Sequence, residues 1–143
     1  MGESIINQDY LEQQMHLEEK DLRQYSPLVL AYIGDAAFEL IIRTIIVRQD
    51  NCPVQKLHKR TSTLVKAENQ AEMIDRMMDV LTEEEQAVYR RGRNAKSYTK
   101  AKNASTGTYR KATGFEALIG YLYLQKKMER IIDLVKIGLE GED

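Results

Sequence analysis

Apolar positions recur at helical spacing along almost the whole chain, and no stretch alternates with the period of two that a half-buried strand needs. Residues 5–24 carry only a thin apolar stripe (Ile5, Ile6, Leu11, Met15, Leu22), which predicts an N-terminal helical extension over residues 1–24. Ser26-Pro27 reads as an N-cap followed by proline in the first turn. The helix it opens, over 27–48, is apolar on nearly every side: Leu28, Val29, Leu30, Ile33, Ala36, Ala37, Phe38, Leu40, Ile41 and Ile42. Such a helix is expected in the middle of a fold. Asn51-Cys52-Pro53 ends it, and residues 53–80 give one or two amphipathic helices with Leu57, Leu64, Val65, Ala71, Ile74 and Met78 inward. Thr82-Glu83-Glu84-Glu85 is a capping box for a short helix ending near Arg91. Residues 92–108 are polar, basic and rich in turn formers, which predicts a long loop. A second, nearly all-apolar helix follows over 109–125 and an amphipathic one over 128–139. The pattern predicts an all-α fold with one domain over 25–143.

Two acids break the pattern. Asp35 lies in Leu28-Val-Leu-Ala-Tyr-Ile-Gly-Asp-Ala-Ala-Phe-Glu-Leu40, and aspartate is a poor residue for a helix interior. Glu116, in Ala112-Thr-Gly-Phe-Glu-Ala-Leu-Ile-Gly120, is the sole acid between Gln86 and Met128. A lone carboxylate in apolar surroundings is costly unless it is paired or holds a metal. Each acid stands near a glycine, Gly34 and Gly114, which suggests two helices crossing closely with both acids in one cavity. Oxygen ligands from facing helices suit a hard cation such as Mg²⁺, with Mn²⁺ as a substitute. Periodicity leaves an alternative equally open, that each acid pairs with a base or caps a neighbouring helix. Glu39, one turn after Asp35, could share the metal site or pair with Arg43.

Charge changes the picture more than composition does. The 143 residues have a net charge of −1, with 43% hydrophobic and 30% charged residues. Yet residues 90–111 hold eight of the 21 basic residues and no acid, which leaves −9 on the remainder. Such concentrated positive charge is a footprint for an anion. Arg91, Arg93 and Lys96, then Lys100 and Lys102, are the candidate nucleic-acid contacts, with Tyr98 and Tyr109 nearby. One cysteine, Cys52, allows no internal disulfide and predicts a reducing, cytoplasmic setting. No apolar run is long enough to span a membrane, and no membrane partner is expected. His16 reads as a surface residue and His58 as structural.

The acid-bearing segments resemble a known family. Tyr32-Ile-Gly-Asp-Ala36 is similar to the signature of the ribonuclease III family, and Phe115-Glu-Ala-Leu-Ile-Gly-Tyr-Leu-Tyr-Leu124 to its second acidic helix. Order and separation match too. Ala31 and Thr113 stand where that family carries a glutamate and an aspartate, so two of its four metal-site acids remain. No double-stranded-RNA-binding module is expected in the chain. These departures, with Arg90-Arg-Gly-Arg-Asn-Ala-Lys-Ser97 and Leu57-His-Lys59, resemble the short bacterial branch, mini-ribonuclease III. The resemblance implies a ribonuclease III-like helical domain and a homodimer that cuts double-stranded RNA with Mg²⁺. Its catalytic residues and metal ligands would be Asp35 and Glu116, its products 5′-phosphate and 3′-hydroxyl ends, its substrate precursor 23S ribosomal RNA. Leu28, Tyr32 and Phe38 form a candidate dimer seam. The competing expectation is an inactive RNA-binding or assembly module on the same fold.

Overall fold

A computed structural model describes residues 5–96 and 105–140, and every regular element among them is helical. The helices are α1 (Gln8–Met15), α2 (Pro27–Gln49), α3 (Val54–Val65), α4 (Ala67–Met77), α5 (Glu83–Asn94), α6 (Thr106–Leu124) and α7 (Met128–Leu139), with short 3-10 turns at Leu22–Gln24 and Met78–Val80. Helix α6 is the hub: α2, α5, α4 and α7 all pack against it.

The start signals act as expected. The Ser26 hydroxyl accepts from the Val29 N–H at 3.2 Å, and Thr82 and Glu85 close both bonds of their capping box. Helix α5 nevertheless runs to Asn94, past the expected end near Arg91, because Gly92 is buried against α6. Helix α6 begins at Thr106 on its Ser105 cap, three residues earlier than Tyr109. The expected loop thus shrinks from both ends.

The N-terminal expectation is corrected. A single helix over 5–24 does not form. Helix α1 stops when His16 enters the left-handed region at φ 54°, and it buries no residue. Its thin apolar stripe is too weak to hold a longer helix against the body.

Helix α2 is also less enclosed than its composition suggests. Leu30, Ala31, Gly34, Ala37, Phe38, Ile42 and Ile46 are buried, whereas Leu28, Val29, Tyr32, Leu40 and Val47 face outward. Phe38 is fully buried and meets the Phe115 ring edge-to-face at 5.0 Å, so it belongs to the core and not to any surface seam. Tyr32, 81% exposed, and Leu28 remain on the surface.

Backbone contact locates the α2–α6 crossing. A Cβ at Gly34 would lie 1.8 Å from the Glu116 carbonyl oxygen, and one at Gly120 would lie 1.9 Å from that of Leu30. Gly114, the sequence candidate for this crossing, serves α5 instead: it packs against Tyr89, and Gly92 packs against Gly114 and Ala117.

Candidate metal centre and nucleic-acid interface

Asp35 follows Gly34 directly, so the close approach that excludes a side chain at 34 carries Asp35 to Glu116. The two carboxyl groups face each other across the crossing. Glu116 is half-buried; Asp35 sits at the exposed outer edge of α2, not in an apolar interior as its neighbours suggest. Burial and the facing Asp35 push the Glu116 carboxyl up to about 9, offset in part by the Gln70 amide, which donates to Glu116 Oε2 at 3.5 Å. Two carboxyl groups this close cannot both ionise cheaply, so one keeps a proton unless a cation replaces it. Carboxylate oxygens flanked by a neutral amide suit a hard divalent cation that keeps several waters. The residues fit such an ion.

The surroundings are sparse. Among the described residues, no group of three or more His, Cys, Asp or Glu side chains could hold a metal. Glu39 is paired with Arg43 at 3.0 Å, one turn along its own helix. Ala31 is buried in the apolar cluster of Leu30, Val88 and Ala117. Thr113 donates its hydroxyl back to the Tyr109 carbonyl at 3.0 Å. Neither position adds an acid to the pair. His16 and His58 are both exposed, and Cys52 is half-buried as a free thiol.

The basic candidates divide. Arg91 and Arg93 lie in the last turn of α5, which Gly92 presses onto the stretch of α6 that carries Glu116. Arg91 and Lys96 are exposed. Arg93 is half-buried, its guanidinium 5.7 Å from the Tyr89 ring centroid and its Nε donating to Asn94 Oδ1 at 3.2 Å. Lys111, counted in the basic segment, pairs with Asp75 at 3.0 Å. Tyr98, Lys100 and Lys102 lie outside the described residues.

Sequence reasoning missed Gln70. It sits three and four residues before Met73 and Ile74 on the inward face of α4, a polar residue at an apolar spacing. The test that singled out Asp35 and Glu116 would have found it, had it been applied to amides.

Comparison with known proteins now decides the family. A profile of the Ribonuclease III domain matches residues 28–127. The chain belongs to the ribonuclease III family. A Mini-ribonuclease 3 of Thermoanaerobacter sp. (strain X514) is 49% identical over 131 residues, covering 92% of each chain. That of Clostridium tetani is 53% identical over 120 residues, covering 82% of this chain and 79% of its own. The crystal structure of a protein from Fusobacterium nucleatum superposes with a TM-score of 0.77 at 34% identity, covering 87% of this chain and all of the other. Asp35 and Glu116 lie inside the matched domain, with α6 and all of α2 after Pro27.

Proposed function

We propose that the chain cleaves double-stranded RNA at a divalent-metal site formed by Asp35 and Glu116. As a member of its family it is an endoribonuclease. The observation that carries the site is the contact of two carboxyl groups from different helices, one strongly desolvated, at a crossing where glycines bring backbone onto backbone.

Asp35 and Glu116 would hold Mg²⁺, or Mn²⁺ in its place. An ion held by these two side chains would supply Lewis acidity towards water and phosphate oxygens, the chemistry that hydrolysis of a phosphodiester to 5′-phosphate and 3′-hydroxyl ends would need. The protein's own part is mostly placement. Helices α2 and α6 fix the carboxylates, and the terminal turn of α5 offers Arg91 and Arg93 to the duplex backbone, followed just after the helix by Lys96 and further along the chain by Lys100 and Lys102. Duplex RNA presents phosphates and 2′-hydroxyls more readily than base edges, which suits such cations. Precursor 23S ribosomal RNA in the cytoplasm is the proposed substrate, as the resemblance of the sequence motifs to mini-ribonuclease III implies.

A two-fold dimer would set two sites to cut both strands. Leu28 and Tyr32 face outward on α2, the helix that carries Asp35, and are the proposed seam. Sedimentation at the monomer mass under working concentrations would rule the dimer out.

Cleavage of a labelled RNA duplex tests the whole reading. Asp35→Asn and Glu116→Gln are each expected to lower the rate by at least about a thousandfold, as loss of principal catalytic groups commonly does, while folding and duplex binding persist. Absence of cleavage by the wild-type chain with either Mg²⁺ or Mn²⁺ would favour the inactive RNA-binding module.

A further inference from the structure

Gln70 lies on α4, 2% exposed, where a polar side chain is costly unless its hydrogen bonds are met. Among the described residues, its side chain makes one hydrogen bond, the 3.5 Å donation from Nε2 to Glu116 Oε2. The neighbouring Asn69, 3% exposed, shows what a structural amide does here. It donates to the Leu64 carbonyl at 2.6 Å and approaches the Met73 sulfur at 3.5 Å, tying the end of α3 to α4. Two buried amides thus stand side by side, one spent on the fold and the other on a carboxylate.

A site with only two acids has little redundancy. The rotamer of each carboxylate decides whether both reach one ion, and among the described residues no ion pair holds the Glu116 oxygens. A neutral amide is suited to that task. It orients the carboxylate without cancelling the charge that the metal needs, whereas a lysine or arginine would compete with the metal. Helix α4 packs against α6, so the donor is delivered by a rigid element.

We infer that Gln70 is a positioning residue of the metal site: through its buried amide it holds the Glu116 carboxylate ready for a divalent ion. The inference rests on the metal reading above.

Mn²⁺ titration of the metal-free protein by calorimetry, without RNA, separates the two claims. Wild type is expected to bind Mn²⁺, and Asp35→Asn to abolish that binding; if wild type binds none, the metal reading falls and this inference with it. Gln70→Leu keeps the volume and removes the amide. It should weaken Mn²⁺ binding at least about tenfold, the usual effect of losing a partner that orients a ligand. In cleavage assays it should raise the half-saturating Mg²⁺ concentration similarly, with the KM for duplex RNA and the metal-free melting temperature unchanged. Gln70→Met, which keeps the length of the side chain but carries no donor, should weaken Mn²⁺ binding as Gln70→Leu does. If Gln70→Leu or Gln70→Met binds Mn²⁺ within twofold of wild type, Gln70 is only a packing residue. If Gln70→Leu is too unstable to assay, the Gln70→Met result decides.

Discussion

A single proton ties Glu116 to the stability of the protein as well as to its chemistry. Its carboxyl is raised from an ordinary 4.5 to about 9, first by burial and then by Asp35. Between those values the folded chain holds a proton that the unfolded chain has released, so stability falls as pH rises. The Glu116 contribution is therefore fully present below 4.5 and lost as pH climbs towards about 9. In EDTA, the melting temperature should decline across that window, and Glu116→Gln should flatten the decline. Parallel slopes in the two proteins, measured by scanning calorimetry, would assign the proton to another group. Divalent ion should restore wild-type stability at the alkaline end, since a ligand that binds only the folded state stabilises it. Asp35 and Glu116 were both marked out by sequence, as acids interrupting apolar helices. Their unequal exposure was not, because it depends on which side of α2 is covered.

Glycines decide how the helices cross. Gly34 and Gly120 let α2 and α6 touch through their backbones, and a methyl group at either would overlap a carbonyl oxygen of the other helix. Gly34→Ala should therefore part the helices at the site, costing about 3 kcal/mol or more, at the upper end of overpacking effects. Cleavage should fall with it. Gly107, near the start of α6, has nothing within 4 Å of where its Cβ would stand. Gly107→Ala should leave cleavage intact and stabilise the helix by up to about 1 kcal/mol, the propensity difference between the residues. Urea titration of the two variants checks both signs. Sequence pointed to Gly34 correctly but paired it with Gly114, because a one-dimensional pattern shows that a helix needs a small residue and not which neighbour requires it. The α5 terminus was misjudged for a related reason: Gly92 reads as a helix stop, yet it is the contact that presses α5 onto α6.

Across the whole molecule, charge is divided unevenly, with residues 90–111 strongly basic and the remainder at −9. On the proposed reading, RNA would approach towards the end of α5, where Arg91 and Lys96 are exposed. Arg91→Glu combined with Lys96→Glu should weaken duplex binding at least about tenfold at low salt and flatten the dependence of affinity on salt, since each lost phosphate contact releases fewer counterions. The fold should survive, because both side chains are exposed. Unchanged affinity in a filter-binding assay would remove the α5 terminus from the RNA interface. Arg93 is kept out of this pair because its stacking on the buried Tyr89 ring mixes packing with charge.

Sequence alone determined the helices after Ser26 to within about a turn, the Ser26 and Thr82 caps, the basic segment and the two acids, since each follows from spacing and residue chemistry within a single stretch of chain. The family was visible there too, in two short motifs. Tertiary structure decided which faces are buried and who meets whom: Phe38 in the core with Tyr32 outside, Glu39 taken by Arg43, and Gly120 opposite Gly34. It also brought Gln70 to Glu116, 46 residues away in the chain. Those outcomes depend on packing between helices, and no local pattern carries the identity of the partner.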